Sequence, residues 1–183
     1  MRAPETEAAT TKAPGTEAPT SKTPETEATT TTAPDNGVPE GFKERKHRWL
    51  SMVIPEDYIE ATVSGVRMLV PSGFLHPDDS IAFTESEAYV EAATESAVKD
   101  YFESTYLDKY GIEISNFTYK RTVIPGADMI ITSFTFLDKG VDYIQTACFA
   151  YNDNDLIAVM FTDTSRIYTE AFKTSINSIH VSE

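Results

Sequence analysis

The sequence predicts an α+β fold: an antiparallel β-sheet meander packed with a long central helix and a C-terminal helix, behind a polar leader. Three patterns predict it. Apolar residues alternate with period two between turn signals from Met129 to Phe161. They recur at three- and four-residue spacing from Glu85 to Tyr110 and again from Ser165 to Ile179. The first forty residues instead carry a Pro/Thr/Glu repeat with no large apolar side chain.

The leader repeats every ten residues. Ala3 to Lys12 is echoed by Ala13 to Lys22 and by Thr23 to Thr32, with Pro4, Pro14, Pro24 and Pro34 holding the register. Ordering it would cost about 1 to 2 kcal/mol per residue in backbone entropy, with almost no apolar burial in return. Its prolines favour extended polyproline II, about 3.1 Å per residue, so the segment would reach on the order of 120 Å when fully extended. We therefore expect residues 1–42 to be a disordered linker or stalk and residues 43–183 to form a single α+β domain. The leader resembles the stalks that follow the lipid-modified cysteine of Gram-positive bacterial lipoproteins; in a eukaryote its threonines would invite O-glycosylation. Met1-Arg2-Ala3-Pro4 runs straight into the repeat without a signal-peptide core, so for an exported protein the signal is expected to have been removed.

The domain opens with a basic run, Lys43-Glu44-Arg45-Lys46-His47-Arg48, read as a solvated flank or as a contact for the acidic surface or an anionic partner. Trp49 to Ile54 is the first apolar stretch, closed by the turn Pro55-Glu56-Asp57. Gly65 to Val70 and Ile81 to Phe83 read as short strands, separated by Pro71-Ser72-Gly73-Phe74 and the polar turn His76 to Asp79. In the central helix Tyr89, Ala93, Ala97, Tyr101 and Thr105 are spaced by four, and Val90, Val98, Phe102 and Leu107 widen the stripe. Thr84 or Ser86 is the expected cap and Gly111 the stop.

After Phe117 to Arg121, Pro125-Gly126 turns the chain. Ile130, Thr132, Phe134 and Phe136 then face one way, and Ile131, Ser133 and Thr135 the other. Asp138-Lys139-Gly140 is a hairpin signal. Tyr143, Gln145, Ala147 and Phe149 then alternate with Ile144, Thr146, Cys148 and Ala150. Asn152 to Asp155 turns into Leu156 to Phe161. Links this short force antiparallel neighbours, because a parallel return needs a crossover of a dozen or more residues. The last helix places Ile167, Ala171, Phe172, Ser175, Ile176 and Ile179 on one face, with Thr164 or Ser165 as its cap and Tyr168 at the flank. Two one-sided helices around such a sheet imply an α/β/α or a two-layer packing.

The formal charge is −14 at pH 7, of which residues 1–40 contribute −4. That balance argues against nucleic acid and anionic lipid as partners, since both are bound by neutralising their charge. Cys148 is the only cysteine and sits in an apolar strand, which reads as a small buried hydrophobe and excludes an intrachain disulfide. The three histidines, His47, His76 and His180, lack a Gly-x-Ser-x-Gly elbow, and the dispersed glycines form no phosphate-binding loop. No catalytic residue is assigned and no cofactor is implied. Asn152, Asp153 and Asp155 are weak calcium candidates in a loop that also reads as a plain turn; it lacks the twelve-residue pattern of an EF-hand. Asn116-Phe117-Thr118 is a formal glycosylation sequon. The tyrosines, with Phe74, are numerous enough to supply either half-buried packing or a surface patch for protein or carbohydrate.

The run Gly65-Val66-Arg67-Met68-Leu69-Val70-Pro71-Ser72-Gly73-Phe74, followed by a helix, the strands from Met129 to Thr162 and the helix Ser165 to Ile179, resembles the Mog1/PsbP-like superfamily. The resemblance spans nearly all of residues 50 to 181 and implies an α/β/α sandwich with no shared catalytic set. The Pro/Thr leader directs it toward the bacterial exported lipoprotein branch. The resemblance thus implies a surface-displayed, non-enzymatic binding or accessory domain, anchored at the cell surface through a removed lipid-modified segment, whose partner is a protein or a surface glycan. A small carboxylate-based hydrolase and a calcium-stabilised structural module are the rival expectations.

Overall fold

The computed structural model describes residues 37–73, 78–86, 94–152 and 155–182. In chain order the elements are β1 (Phe42–His47), β2 (Leu50–Pro55), β3 (Tyr58–Val63), β4 (Val66–Pro71), β5 (Ser80–Ser86), α1 (Glu95–Tyr110), β6 (Ile114–Ile124), β7 (Ala127–Asp138), β8 (Val141–Tyr151), β9 (Leu156–Asp163), α2 (Thr169–Asn177) and β10 (His180–Val181). The α+β class holds. A seven-stranded sheet runs β3-β4-β5-β9-β8-β7-β6, and a three-stranded one runs β1-β2-β10. Every pairing is antiparallel, and β6 to β9 form the expected meander.

Period-two alternation divides the large sheet into two faces. Ile81, Met129, Ile131, Cys148, Ala150, Ile157, Val159 and Phe161 point to one face, where they meet Leu50, Met52 and Ile54 of β2 and Phe172 and Ile179 of the α2 segment. Phe134, Phe136, Ala147, Phe149 and Met160 point to the other, under Val98 and Phe102 of α1. One helix on each side makes the arrangement consistent with an α/β/α sandwich, and the small sheet shares the layer of α2. At the turn between β6 and β7, Gly126 has φ 86°, and a Cβ there would lie 2.9 Å from Val181 of β10. Only glycine meets both demands.

The central helix starts later than its spacing suggests. Glu85 and Ser86 belong to β5, whose ladder with β9 runs unbroken from Ser80/Thr162 to Ser86/Leu156. Thr94, rather than Thr84 or Ser86, is the cap: its hydroxyl accepts the Ala97 N–H at 3.3 Å. Gly111 ends the helix as expected, at φ 66°. Residues 87–93 lie outside the described residues. The buried stripe is Val98, Phe102 and half-buried Tyr106, one residue beyond the Ala97-Tyr101-Thr105 line, and Tyr101 is 60 % exposed. Valine and phenylalanine bury far more apolar area than alanine, and that sets the helix rotation.

Three further differences follow from tertiary pairing. The basic run forms β1, with Arg48 just beyond it, and makes the contact with acidic groups that is one of its two readings, in place of a solvated flank. Arg45 pairs with Glu60, His47 stacks on Phe83 at 4.5 Å with Nε2 3.1 Å from Glu85, and Arg48 bridges Glu85 and Asp155. Tyr58–Val63, unassigned in the sequence, is an edge strand. The last helix begins at Thr169 rather than Ser165, because Thr164 and Ser165 are bonded to Asp79, and Ile167 is left 65 % exposed.

Candidate functional site

Four rings form a row from the end of α1 across β7 to β8. Tyr110 lies 5.8 Å from Tyr106, Tyr106 lies 5.0 Å from Phe136, and Phe136 stacks on Tyr143 at 4.7 Å with ring planes 4° apart. Helical spacing places Tyr106 and Tyr110 one turn apart on one flank. Register places Phe136 directly opposite Tyr143 on the same sheet face. Tyr106 is anchored by its hydroxyl, which donates to Gln145 Oε1. Burial and the neighbouring Tyr110 push its phenol up. Tyr110 is 64 % exposed, and Val141 beside Tyr143 is also exposed. Burial raises the Tyr143 phenol, helped by Asp78 and Asp138.

The row borders a cleft of about 210 Å³ between α1 and the start of β6, lined by Glu95, Lys99, Glu103, Ile114, Ser115, Asn116 and Phe117. Ile114 joins the two features, since it packs in the cluster that holds Tyr106, Phe117 and Phe136. Glu95, Lys99 and Glu103 follow one another at four-residue intervals, and Lys99 Nζ lies 3.6 Å from Glu103 Oε1. The opposite wall is a β-bulge: pairing passes from Ser115/Thr135 to Thr118/Ser133, so Asn116 and Phe117 oppose Phe134 alone. Asn116 takes φ 52° there, and its Nδ2 donates to Thr135 Oγ1 at 2.9 Å.

A second polar assembly lies buried where β5, β9 and α2 converge. Asp79 is 0 % exposed, and its Oδ1 accepts the Thr164 N–H, the Thr164 hydroxyl and the Ser165 N–H. Burial opposes its ionisation, but hydrogen bonds from Ser165 and Thr164 outweigh it and hold the carboxyl below its ordinary value. Asp163 accepts from the Arg166 N–H and the Thr169 hydroxyl. Tyr168 donates to Asp57 at 2.6 Å, and burial followed by that bond pushes its phenol up to about 12. Asp79 Oδ2 and the Tyr58 hydroxyl are buried without a partner among the described residues. This assembly joins β5, β9 and α2 from the buried Asp79 out to the exposed Tyr168–Asp57 bond.

The tyrosines divide by their place on strand or helix. Tyr58 and Tyr151 are core, Tyr106, Tyr119 and Tyr143 are half-buried, Tyr101 and Tyr110 are exposed, and Phe74 and Tyr89 lie outside the described residues. Of the calcium candidates, Asn152 Oδ1 accepts the Asp155 N–H and Asp155 pairs with Arg48 at 3.6 Å, while Asp153 lies outside the described residues. His180 Nδ1 sits 2.8 Å from the Ser178 carbonyl, and His76 lies outside the described residues. Cys148 is buried, and burial pushes its thiol up. The cleft escaped the sequence reading. Its one advance signal is Ser115-Asn116 breaking the alternation at the start of β6.

No family model and no curated protein matches the sequence. Among solved structures the chain is similar to cyanobacterial PsbP (CyanoP) from Synechocystis sp. PCC 6803, with TM-score 0.62 and 15 % identity over 82 % of this chain and 98 % of that one. Looser likenesses, both at TM-score 0.48, are to LpqN, involved in cell envelope biogenesis of Mycobacterium tuberculosis (8 % identity over 73 % of this chain and 83 % of that one), and to a Bacteroides thetaiotaomicron protein (14 % over 74 % and 46 %). The likeness to PsbP is one of fold, as the order of elements implied, and assigns no specific family.

Proposed function

We propose that this chain is a non-enzymatic binding or accessory module displayed at a bacterial cell surface, with its leader as the tether and the ring row on α1, β7 and β8 as its docking surface. The row carries the reading. Tyr110 is exposed at its end, while Tyr106, Phe136 and Tyr143 are held rigid by stacking and by the Gln145 bond, so little side-chain entropy is lost on contact. Aromatic anchors of this kind dominate binding energy where a partner covers them. Display at a surface rests on the stalk-like leader; no helix among the described residues is long and apolar enough to cross a membrane.

The test has two parts. Protease treatment of intact cells making the native gene product should remove the domain, and purified domain should bind a Gram-positive envelope fraction, with Tyr110→Ala and Tyr143→Ala weakening the binding. A product confined to the cytoplasm, or envelope binding indifferent to both substitutions, overturns the reading. Turnover of envelope glycan by the domain would instead favour a carboxylate hydrolase.

A further inference from the structure

Resting on the binding-module reading, we infer that the ring row docks a cationic segment of a protein partner, whose arginine or lysine side chains lie on the rings with their charged ends at Asp138 and Asp78. Rings and acid share one side of the sheet. Phe136 is opposite Tyr143, and two residues along each strand Asp138 is opposite Val141, so the alternation puts all four on the same face. After burial itself, the charges of Asp78 and Asp138 are what raise the Tyr143 phenol, which puts both carboxylates close to that ring. Neither is tightly paired. Asp78 forms no ion pair among the described residues, and Asp138 meets Lys139 Nζ at 4.0 Å, on a lysine that is 89 % exposed at the tip of the hairpin.

Charge selects the occupant. At the other end of the row Tyr110 and Leu107 are exposed on the last turn of α1, where the helix dipole leaves partial negative charge. Residues 106–113 and 136–143, together with Asp78, hold five acids against two lysines, within a chain of net charge −14. An acidic or phosphorylated partner is repelled by that field, a neutral saccharide gains nothing from it, and a cationic segment is steered in. The acids are spread among rings rather than gathered, and among the described residues no three His, Cys, Asp or Glu side chains are placed to hold a metal ion. A cation on an apolar stem fits such a surface: a guanidinium stacks on a ring while its N–H groups bond a carboxylate, and a lysine lays its methylenes along the rings. Tyr143 ends the stack, with Phe136 against one face and, among the described residues, no ring against the other. Ring centroids follow one another at 5.8, 5.0 and 4.7 Å. Residues i and i+2 of an extended chain are about 7 Å apart, so alternate side chains of one segment reach separate rings.

The experiment uses the full chain, with hexa-arginine, hexa-lysine, hexaglutamate and maltotriose as probes. Titration followed by amide chemical shifts should give a dissociation constant on the order of 0.1 mM for hexa-arginine at low salt, weaker binding of hexa-lysine, and no binding of the other two. The shifts should fall on residues 106–113 and 136–143 and fade at about 0.5 M salt. Tyr110→Ala and Asp138→Asn change surface groups, so both variants should melt as wild type does, yet each should weaken hexa-arginine about threefold. Asp100→Asn, which removes the same charge from another exposed position on α1, should not. In parallel, envelope fractions are treated with proteinase or with periodate before binding, and loss on proteinase alone supports the inference. No shift with hexa-arginine, shifts spread over the acidic surface and indifferent to Tyr110→Ala and Asp138→Asn, maltotriose on the ring row, or envelope binding that only periodate abolishes overturns it while leaving the binding-module reading intact. Absence of envelope binding overturns that reading itself.

Discussion

Asp79 and Thr164 are joined twice: the Asp79 Oδ1 accepts the Thr164 backbone N–H at 2.6 Å and the Thr164 hydroxyl at 2.9 Å. The β5–β9 ladder begins beside this joint, at Ser80 opposite Thr162. The connection entering β5 is thereby fixed to the connection entering α2, and α2 closes one face of the core.

Replacing Asp79 by Ala should destabilise the domain by about 2 to 4 kcal/mol, since it leaves buried N–H groups of Thr164 and Ser165 without an acceptor. Urea denaturation at pH 7 checks it.

Acid should weaken the same joint. The Asp79 carboxyl is lowered in the folded state, so its contribution is complete above the unfolded carboxylate pKa of about 3.9 and is lost as pH falls through the folded value. Asp79→Asn should therefore lose less of its melting temperature between pH 5 and pH 2.5, both approximate bounds, than wild type does. Parallel slopes would disprove the assignment. Glu60, also lowered, by Arg67 and Arg45, is present in both proteins and cancels in the comparison.

The rotation of α1 gives a paired prediction. Phe102→Ala should cost about 3 to 5 kcal/mol, whereas Tyr101→Ala should change stability by less than about 0.5 kcal/mol. Comparable losses in chemical denaturation would place the buried stripe on the Tyr101 line instead.

Chelation should leave the melting temperature unchanged. The Arg48 guanidinium already pairs with the Asp155 carboxylate, and Asn152 is engaged with the Asp155 backbone. A fall in melting temperature with EDTA, restored by calcium, would revive the calcium-stabilised module.

The meander was legible because alternation and hairpin turns are local signals. The two faces read from Ile130 to Ala150 are the faces observed, and Gly111 stops the helix where its type predicts. What escaped was set by distant partners. β1 looks like a solvated basic run until Glu60, Glu85 and Asp155 are brought beside it. Tyr58–Val63 has weak alternation and gains strand structure by pairing with β4. Spacing by four found the helix, and the stripe read from it already held the buried Val98 and Phe102, but it did not set them apart from the exposed Tyr101, because Ala97-Tyr101-Thr105 and Val98-Phe102-Tyr106 are equally periodic. The ring row was half legible: the tyrosines were visible, but Phe136 meeting Tyr106 depends on how α1 lies across β7.

The β10 segment sets the order in which the domain can be completed. Val53 N–H donates to Ser178 Oγ across 125 residues of chain, Ser182 N–H donates to the Trp49 carbonyl, and β10 pairs with β2. Closing loops of that size is slow, and their entropy is spent before any of these contacts forms. As the polypeptide emerges during synthesis, the layer over Leu50, Met52 and Ile54 stays unsealed until residues 178–182 arrive. Until then that layer stays exposed; afterwards the β2 strand and the segment 178–182 are locked together.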